Sequence, residues 1–473
     1  MNALERPLSP DRAETLTELS TKPFLQGFTD QRSTYSPRHA LHHHSALVRP
    51  LVAYSPQTLW AEDTRSLPRA LASYRRQVRE FAEQQLRPLA EQLDLQPHSP
   101  LGQPNPIRDN LLVLAGQQGY LSDLLPSPFG STPWLRYRYP LAWQQAIKVE
   151  EFARVCGGLM LLLSAHNLGA APLLLSGDMR AARRFLLPAF KESQAGNPHL
   201  FAYAITEPAA GSDVEESHGA SLCTPGVIAQ KVPGGWRLRG RKCFISGGDL
   251  AQSITVFGAL EGEGIDSWTC FLVHNTQPGF RVARTELKMG MRASGAAELE
   301  FDDVFVPNEQ VIGGLRRGWA INRAILNLSR LPVAAMAVGF AQAATDLAMD
   351  FACQYRVNGE PLINHQETQL QIAQMVAETS TIRALVWKHA NAWTITQRKS
   401  AMAKFHCSDT AVRVCEQAME LMGNHGGLYT RKVEKVFRDA RLTQIFEGTN
   451  QINRLALIED IQEELIQKMS PYR

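Results

Sequence analysis

No two of the seven cysteines in this 473-residue chain form a Cys-x-x-Cys pair. Cys156, Cys223, Cys243, Cys270, Cys353, Cys407 and Cys415 are scattered, which argues against a metal site or a disulfide frame and predicts reduced, mostly buried thiols. Charge of one sign is scarce too, because 49 Lys and Arg face 46 Asp and Glu, for a net charge of +3. That balance speaks against a nucleic-acid partner or an anionic membrane surface. The apolar run Leu159 to Leu163 is far shorter than the ~20 residues of a bilayer span, so no transmembrane helix is expected. The start lacks a basic segment leading into an apolar core and carries Glu5, Asp11, Glu14, Glu18 and Asp30, against the pattern of a signal or transit peptide. A cytoplasmic location is the resulting expectation.

What is present is a large chain, long enough for about three domains. Residues 1–60 carry Pro7, Pro10, Pro23, Pro37, Pro50 and Pro56 without sustained periodicity and read as an irregular extension. Its His39, His42, His43 and His44 cluster lacks a matching ligand set and reads as a solvated segment, so no metal is expected. Residues 61–199 are expected to form an all-helical domain, with helical periodicity over 65–95 and 142–192 and loops at Gln96 to Asn105 and Ser127 to Pro140. Over 200–313 the texture changes to short strands, including Trp236 to Arg239, Ser253 to Ala259, Trp268 to Val273 and Phe301 to Val306. Over 314–473 long helical stretches return, through Ala320 to Tyr355, Gln366 to Ala392, Ser400 to Met422 and Asn450 to Gln467, as in an antiparallel four-helix bundle. The predicted fold is mainly α with a central β domain.

Two motifs carry chemistry. Ile445-Phe446-Glu447-Gly448-Thr449-Asn450-Gln451 places one carboxylate just before a helix whose apolar residues Ile452, Leu455, Ile458, Ile461 and Leu465 follow, so Thr449 or Asn450 reads as the N-cap. Ile445 and Phe446 would raise the Glu447 pKa by desolvation, toward the value a general base needs, while the helix N-terminus would lower it. The other reading is a solvated acid favoured by the helix dipole. Upstream, Tyr203-Ala204-Ile205-Thr206-Glu207-Pro208-Ala209-Ala210-Gly211-Ser212-Asp213 runs from a strand into a small-residue turn. There backbone N–H groups and the Thr206 and Ser212 hydroxyls can approach a flat, polar-edged ligand, although an ordinary turn punctuated by Pro208 and Gly211 also fits.

With Gly240-Arg241-Lys242-Cys243-Phe244-Ile245-Ser246-Gly247-Gly248, these segments resemble the acyl-CoA dehydrogenase family of flavoproteins. The likeness extends from Val78 to Glu83 through Val149 to Ala153, Lys288 to Arg292, Phe301 to Pro307 and Arg438 to Ala440, in family order along roughly 400 residues. It implies a helical N-terminal domain, a small β-barrel or sandwich and a C-terminal four-helix bundle. It also implies FAD-dependent α,β-dehydrogenation of an acyl-coenzyme A or acyl-carrier thioester in lipid metabolism, with Glu447 removing the α-proton. The implied flavin contacts are Tyr203, Ile205, Thr206, Ser212, Phe244 and Ser246. Thr449, Gln451, Gly423 and Arg356 would serve the ADP half, Arg356 from a neighbouring subunit of a homodimer or homotetramer. Ser212, Arg330 and the backbone at Gly448 would meet substrate, and Arg330 would favour an ionised Glu447. An electron-transfer flavoprotein is the implied electron acceptor.

Departures from the family pattern are localised. Ser329 stands where some branches carry the base, and serine cannot serve, so Glu447 is the base placed by a motif. Arg356 to Gly359 is shorter than usual, Glu420 replaces a common glutamine, and Phe446 replaces a common tyrosine. Ser131 to Pro140, with Trp134, Arg136 and Arg138, replaces a glycine-rich loop near the acyl pocket, as an unusual acyl group would require. Taken without the family, Phe244 reads as a core aromatic and Arg356 as a helix-end cation. The alternatives in function are a flavin oxidase or monooxygenase on the same fold and a non-catalytic flavoprotein that protects nucleic acid.

Overall fold

The computed structural model describes residues 58–95, 105–212 and 223–469. The proline-bearing extension up to residue 57, its histidine cluster, most of the Gln96 to Asn105 loop and Asp213 lie outside the described residues. Helices α1 (Leu59–Ser66), α2 (Arg69–Phe81), α3 (Arg87–Leu95), α4 (Pro106–Gln117), α5 (Leu141–Val155), α6 (Gly157–Leu175) and α7 (Leu187–Gln194) come first. The helical stretch read over 142–192 is therefore divided. Cys156 adopts an extended conformation and separates α5 from α6. Gly157 and Gly158 then begin α6 where a Cβ would lie 2.6 Å from the Phe340 ring and 2.7 Å from the Ala293 nitrogen.

Eight strands follow: β1 (Phe201–Ala204), β2 (Ile228–Val232), β3 (Gly235–Ser246), β4 (Ser253–Leu260), β5 (Thr269–His274), β6 (Phe280–Thr285), β7 (Ala296–Pro307) and β8 (Val311–Ile312). They run in the order β6-β7-β3-β2-β4-β5-β8, with β1 paired in parallel to β4. Strands β2, β6 and β8 were not expected; β6 carries exposed Arg281 and Arg284 at a sheet edge, which hides its apolar alternation.

The chain ends in α8 (Gly318–Gln354), α9 (Gln366–Ala390), α10 (Gln397–Met422), α11 (Val433–Leu442) and α12 (Asn450–Met469). α8 packs on α9 and α10, and α10 on α12, giving the expected bundle, with α11 added against α8 and α10. Two helices are more apolar than the short run in the sequence suggested. α6, with 19 residues, and α8, with 37, are both long and apolar enough to cross a membrane. Most of each is instead buried inside the protein, α6 between α8 and the sheet. The run Leu159 to Leu163 understated α6 because Ser164, His166 and Asn167 interrupt an otherwise continuous apolar helix.

Candidate active site

The turn between α11 and α12 holds two successive left-handed residues, Glu447 at φ 56° and Gly448 at φ 76°. Glycine adopts this conformation freely; a glutamate there is strained and persists only where its surroundings fix it. They do so with buried side chains. Lys404 Nζ on α10 donates to Gly448 O at 2.6 Å and to Asn450 Oδ1 at 2.9 Å. Asn453 Nδ2 donates to Gly448 O at 2.9 Å and Thr449 O at 3.0 Å. Thr449 caps α12, its Oγ1 accepting from Ile452 N at 3.3 Å, as one of the two readings of the sequence required.

That geometry turns the Glu447 side chain toward α8, where Ser329 Oγ donates to Oε2 at 2.7 Å. Both residues line a cavity of about 630 Å³ walled by α5, α6, α8 and the loops at the ends of β1 and β3. Burial pushes the Glu447 carboxyl above its ordinary pKa; the Ser329 hydrogen bond and the charges of Arg330 and Lys404 pull it down without outweighing burial. Glu447, half-buried at the cavity wall, is thus a partly desolvated acid, which argues against the solvated-acid reading. Arg330 is buried beside it and acts on it through charge.

Tyr203, Ile205, Thr206, Gly211, Ser212, Phe244 and Ser246 line the same cavity, opposite in sequence but adjacent in space to Gly448 and Thr449. The link is direct, since Thr449 N donates to Ser212 Oγ at 3.1 Å. The Thr206 segment does form a turn, with Glu207 N to Ala210 O at 2.9 Å, and it is locked to β3. Cys243 N donates to Thr206 O at 2.9 Å, while Lys242 Nζ reaches Ile205 O at 2.8 Å and Glu207 Oε1 at 2.7 Å. Phe244 is not a core aromatic. A register shift between Lys242 and Ile245 against β7, with Phe244 at φ 56°, pushes its ring out of the sheet and leaves it 62% exposed at the cavity.

An exposed aromatic ring and the side chains of Thr206, Ser212 and Ser246 line one cavity, with Gly211 beside them, a surface that fits a flat heteroaromatic ring. Gln451, Gly423 and Arg356 are not brought to the cavity. All three are exposed, and the Arg356 guanidinium bonds Gly359 O at 2.8 Å. Sequence reasoning missed Lys404, Asn453 and the Lys242–Glu207 pair. A lone lysine between Ala403 and Cys407 in a helix, or at an otherwise apolar point of a strand, was the available signal.

Family models match the chain in three consecutive pieces: the acyl-CoA dehydrogenase N-terminal domain over residues 70–192, the middle domain over 202–304 and the C-terminal domain over 316–462. The chain belongs to the acyl-CoA dehydrogenase family. An acyl-CoA dehydrogenase of Bacillus subtilis is 31% identical over 388 residues, which is 81% of this chain and 95% of that protein. A cyclohex-1-ene-1-carbonyl-CoA dehydrogenase of Geobacter metallireducens is 35% identical over 80% of this chain and 94% of its own. The structure of butyryl-CoA dehydrogenase from Megasphaera elsdenii, 28% identical, superimposes with a TM-score of 0.74 over 84% of this chain and 99% of its own. As a member of this family, the protein is an FAD-dependent oxidoreductase that dehydrogenates an acyl thioester across a CH–CH bond.

Proposed function

We propose that Glu447 is the base that takes the α-proton of the acyl thioester. The supporting observation is a carboxylate held in a left-handed turn, desolvated, and facing a cavity that also contains the exposed Phe244 ring and the Thr206 and Ser212 hydroxyls. A raised pKa keeps Glu447 basic enough to compete for a weakly acidic C–H proton. Ser329 holds one oxygen of the carboxylate, which leaves Oε1 to point at substrate. The Glu447 backbone N–H makes no hydrogen bond with the described residues and is suited to the thioester carbonyl, where negative charge develops as the proton leaves.

Tyr203, Ile205, Thr206, Ser212, Phe244 and Ser246 are the proposed flavin contacts, and Thr449, which lines the same cavity, is kept as a contact for the ADP half. FAD, when bound there, supplies the acceptor for the β-hydrogen as hydride. The apolar side chains of Pro332, Val333 and Met336 line the cavity near Ser329 and exclude water from the reacting carbons. Gln451, Gly423 and Arg356 are kept as contacts for the ADP half, with Arg356 facing a neighbouring protomer in a cytoplasmic homodimer or homotetramer. An electron-transfer flavoprotein is the proposed electron acceptor.

The test is anaerobic. Purified holoenzyme should lose its oxidised-flavin absorbance with members of an acyl-CoA panel, and Glu447→Gln should keep bound flavin without losing that absorbance. A flavin left oxidised by every thioester, or a fully active Glu447→Gln enzyme, would rule the proposal out.

A further inference from the structure

The loop Ser131 to Pro140 contributes Tyr137, Tyr139 and Pro140 to the cavity wall. It is pinned to α5, because Arg136 Nε donates to Gln144 Oε1 at 2.9 Å while Gln144 Nε2 donates to Arg136 O at 3.2 Å and Tyr139 O at 3.0 Å. The next residue, Gln145, also lines the cavity although it is only 9% exposed.

A chain of buried polar groups decides which end of the Gln145 amide meets the cavity. Lys148 Nζ donates to Asp123 Oδ2 at 2.7 Å, both side chains being buried. Asp123 Oδ1 accepts from Asn167 Nδ2 at 3.1 Å, and Asn167 Nδ2 also lies 3.4 Å from Gln145 Oε1. An ionised carboxylate only accepts, so Asn167 must turn its NH2 toward Asp123. The second hydrogen of that NH2 then takes the carbonyl oxygen of Gln145. What remains to face the cavity is the Gln145 NH2, for which no hydrogen-bond partner is found among the described residues.

We propose that the acyl group carries a neutral hydrogen-bond acceptor, an oxo, ether or hydroxyl oxygen, on the part remote from the thioester, and that the Gln145 amide recognises it. This deepens the acyl-thioester reading of the cavity and rests on it. A plain alkyl end would bury the NH2 without a partner, which is the more costly arrangement for a nearly buried polar group. A carboxylate end is disfavoured because Lys148, the cation of this buried polar chain, is already engaged by Asp123. The Gln145 amide itself prefers an acceptor, since its carbonyl is held by Asn167, while Asn167 Oδ1 and Ser164 Oγ, of residues lining the same cavity, have no partner among the described residues.

The experiment compares kcat/KM of the holoenzyme, under anaerobic flavin-reduction conditions, for coenzyme A thioesters matched in length: straight alkyl, oxo-substituted beyond the β-carbon, and carboxylate-terminated. The oxo series should be favoured over alkyl by about tenfold, the worth of one net hydrogen bond, and over carboxylate by more. In Gln145→Leu, with bound-flavin absorbance as the check on folding, the oxo-to-alkyl ratio should fall to about one. Equal use of alkyl and oxo series by the unaltered enzyme overturns this inference alone, as does a ratio unchanged in Gln145→Leu. A flavin reduced by no thioester overturns the proposed function and this inference with it.

Discussion

Ser329 Oγ lies 2.7 Å from Glu447 Oε2, a bond between α8 and the turn before α12 that spans 118 residues of sequence. The hydroxyl at this position is a positioning group for the carboxylate and favours its ionised form. It takes over part of the solvation that burial removes.

The pH dependence follows from those opposing effects. Burial raises the Glu447 pKa, so kcat/KM should climb with pH along a limb above the ordinary carboxylate range. Ser329→Ala removes a hydrogen bond to the ionised form and should move that limb to still higher pH. Glu447→Gln should abolish the limb and lower kcat by about 10² to 10⁴-fold. A limb that stays in place in Ser329→Ala would show that the observed bond has no part in setting the base.

The same shift has a stability sign. The folded pKa of Glu447 is raised above its unfolded value, so its contribution is fully present below the unfolded pKa and is lost as pH rises through the folded one. Glu447→Gln should therefore melt at a higher temperature than the unaltered protein at neutral pH, with the difference closing on acidification. Thermal scans across pH 4 to 8, on the order of the carboxylate range, measure it.

Lys404→Met should affect the turn before it affects the flavin surface. The buried ammonium carries Gly448 O and Asn450 Oδ1, and its removal leaves both acceptors with fewer partners. A loss of about 1–3 kcal/mol in denaturant unfolding is expected, with a fall in kcat larger than the loss of bound flavin. Flavin stoichiometry measured beside kcat separates the two.

Phe244→Ala should act the other way round, since its ring is exposed at the cavity and contributes little to the core. Loss of one aromatic contact predicts FAD held about tenfold more weakly, with little change in melting of the flavin-free protein. Equilibrium dialysis of released flavin gives the answer.

Breaking the Lys242–Glu207 pair should cost more than either. Both side chains are buried, and Lys242→Met leaves the Glu207 carboxylate without its cation, an expected loss of about 3–5 kcal/mol. Urea unfolding checks the magnitude, and flavin retention should fall with it because the Thr206 turn is tied to the same ammonium.

What the sequence alone determined were features encoded by neighbouring residues. An N-cap at Thr449 or Asn450, the helix after it, the strand-to-turn passage at Thr206 and the order helical, β, helical all follow from local propensity and periodicity, and the structure chose Thr449. The boundaries of α8 and α10 lay within a few residues of the reading for the same reason. Local pattern failed where a residue's environment came from a distant segment. Taken without the family, Phe244 read as core until a register shift against β7 turned it outward, and the apolar run Leu159 to Leu163 understated the apolar length of α6 because polar residues interrupt it. Asn167 among them meets Asp123 and Gln145, from other segments. Only the tertiary structure decided that Glu447 is desolvated, that Ser329 bonds it, that Lys404 secures its turn and that Gln145 presents a donor. Each depends on α5, α6, α8, α10 and the final turn packing together, and the free energy of a buried polar group is set by what surrounds it in space, not by what precedes it in the chain.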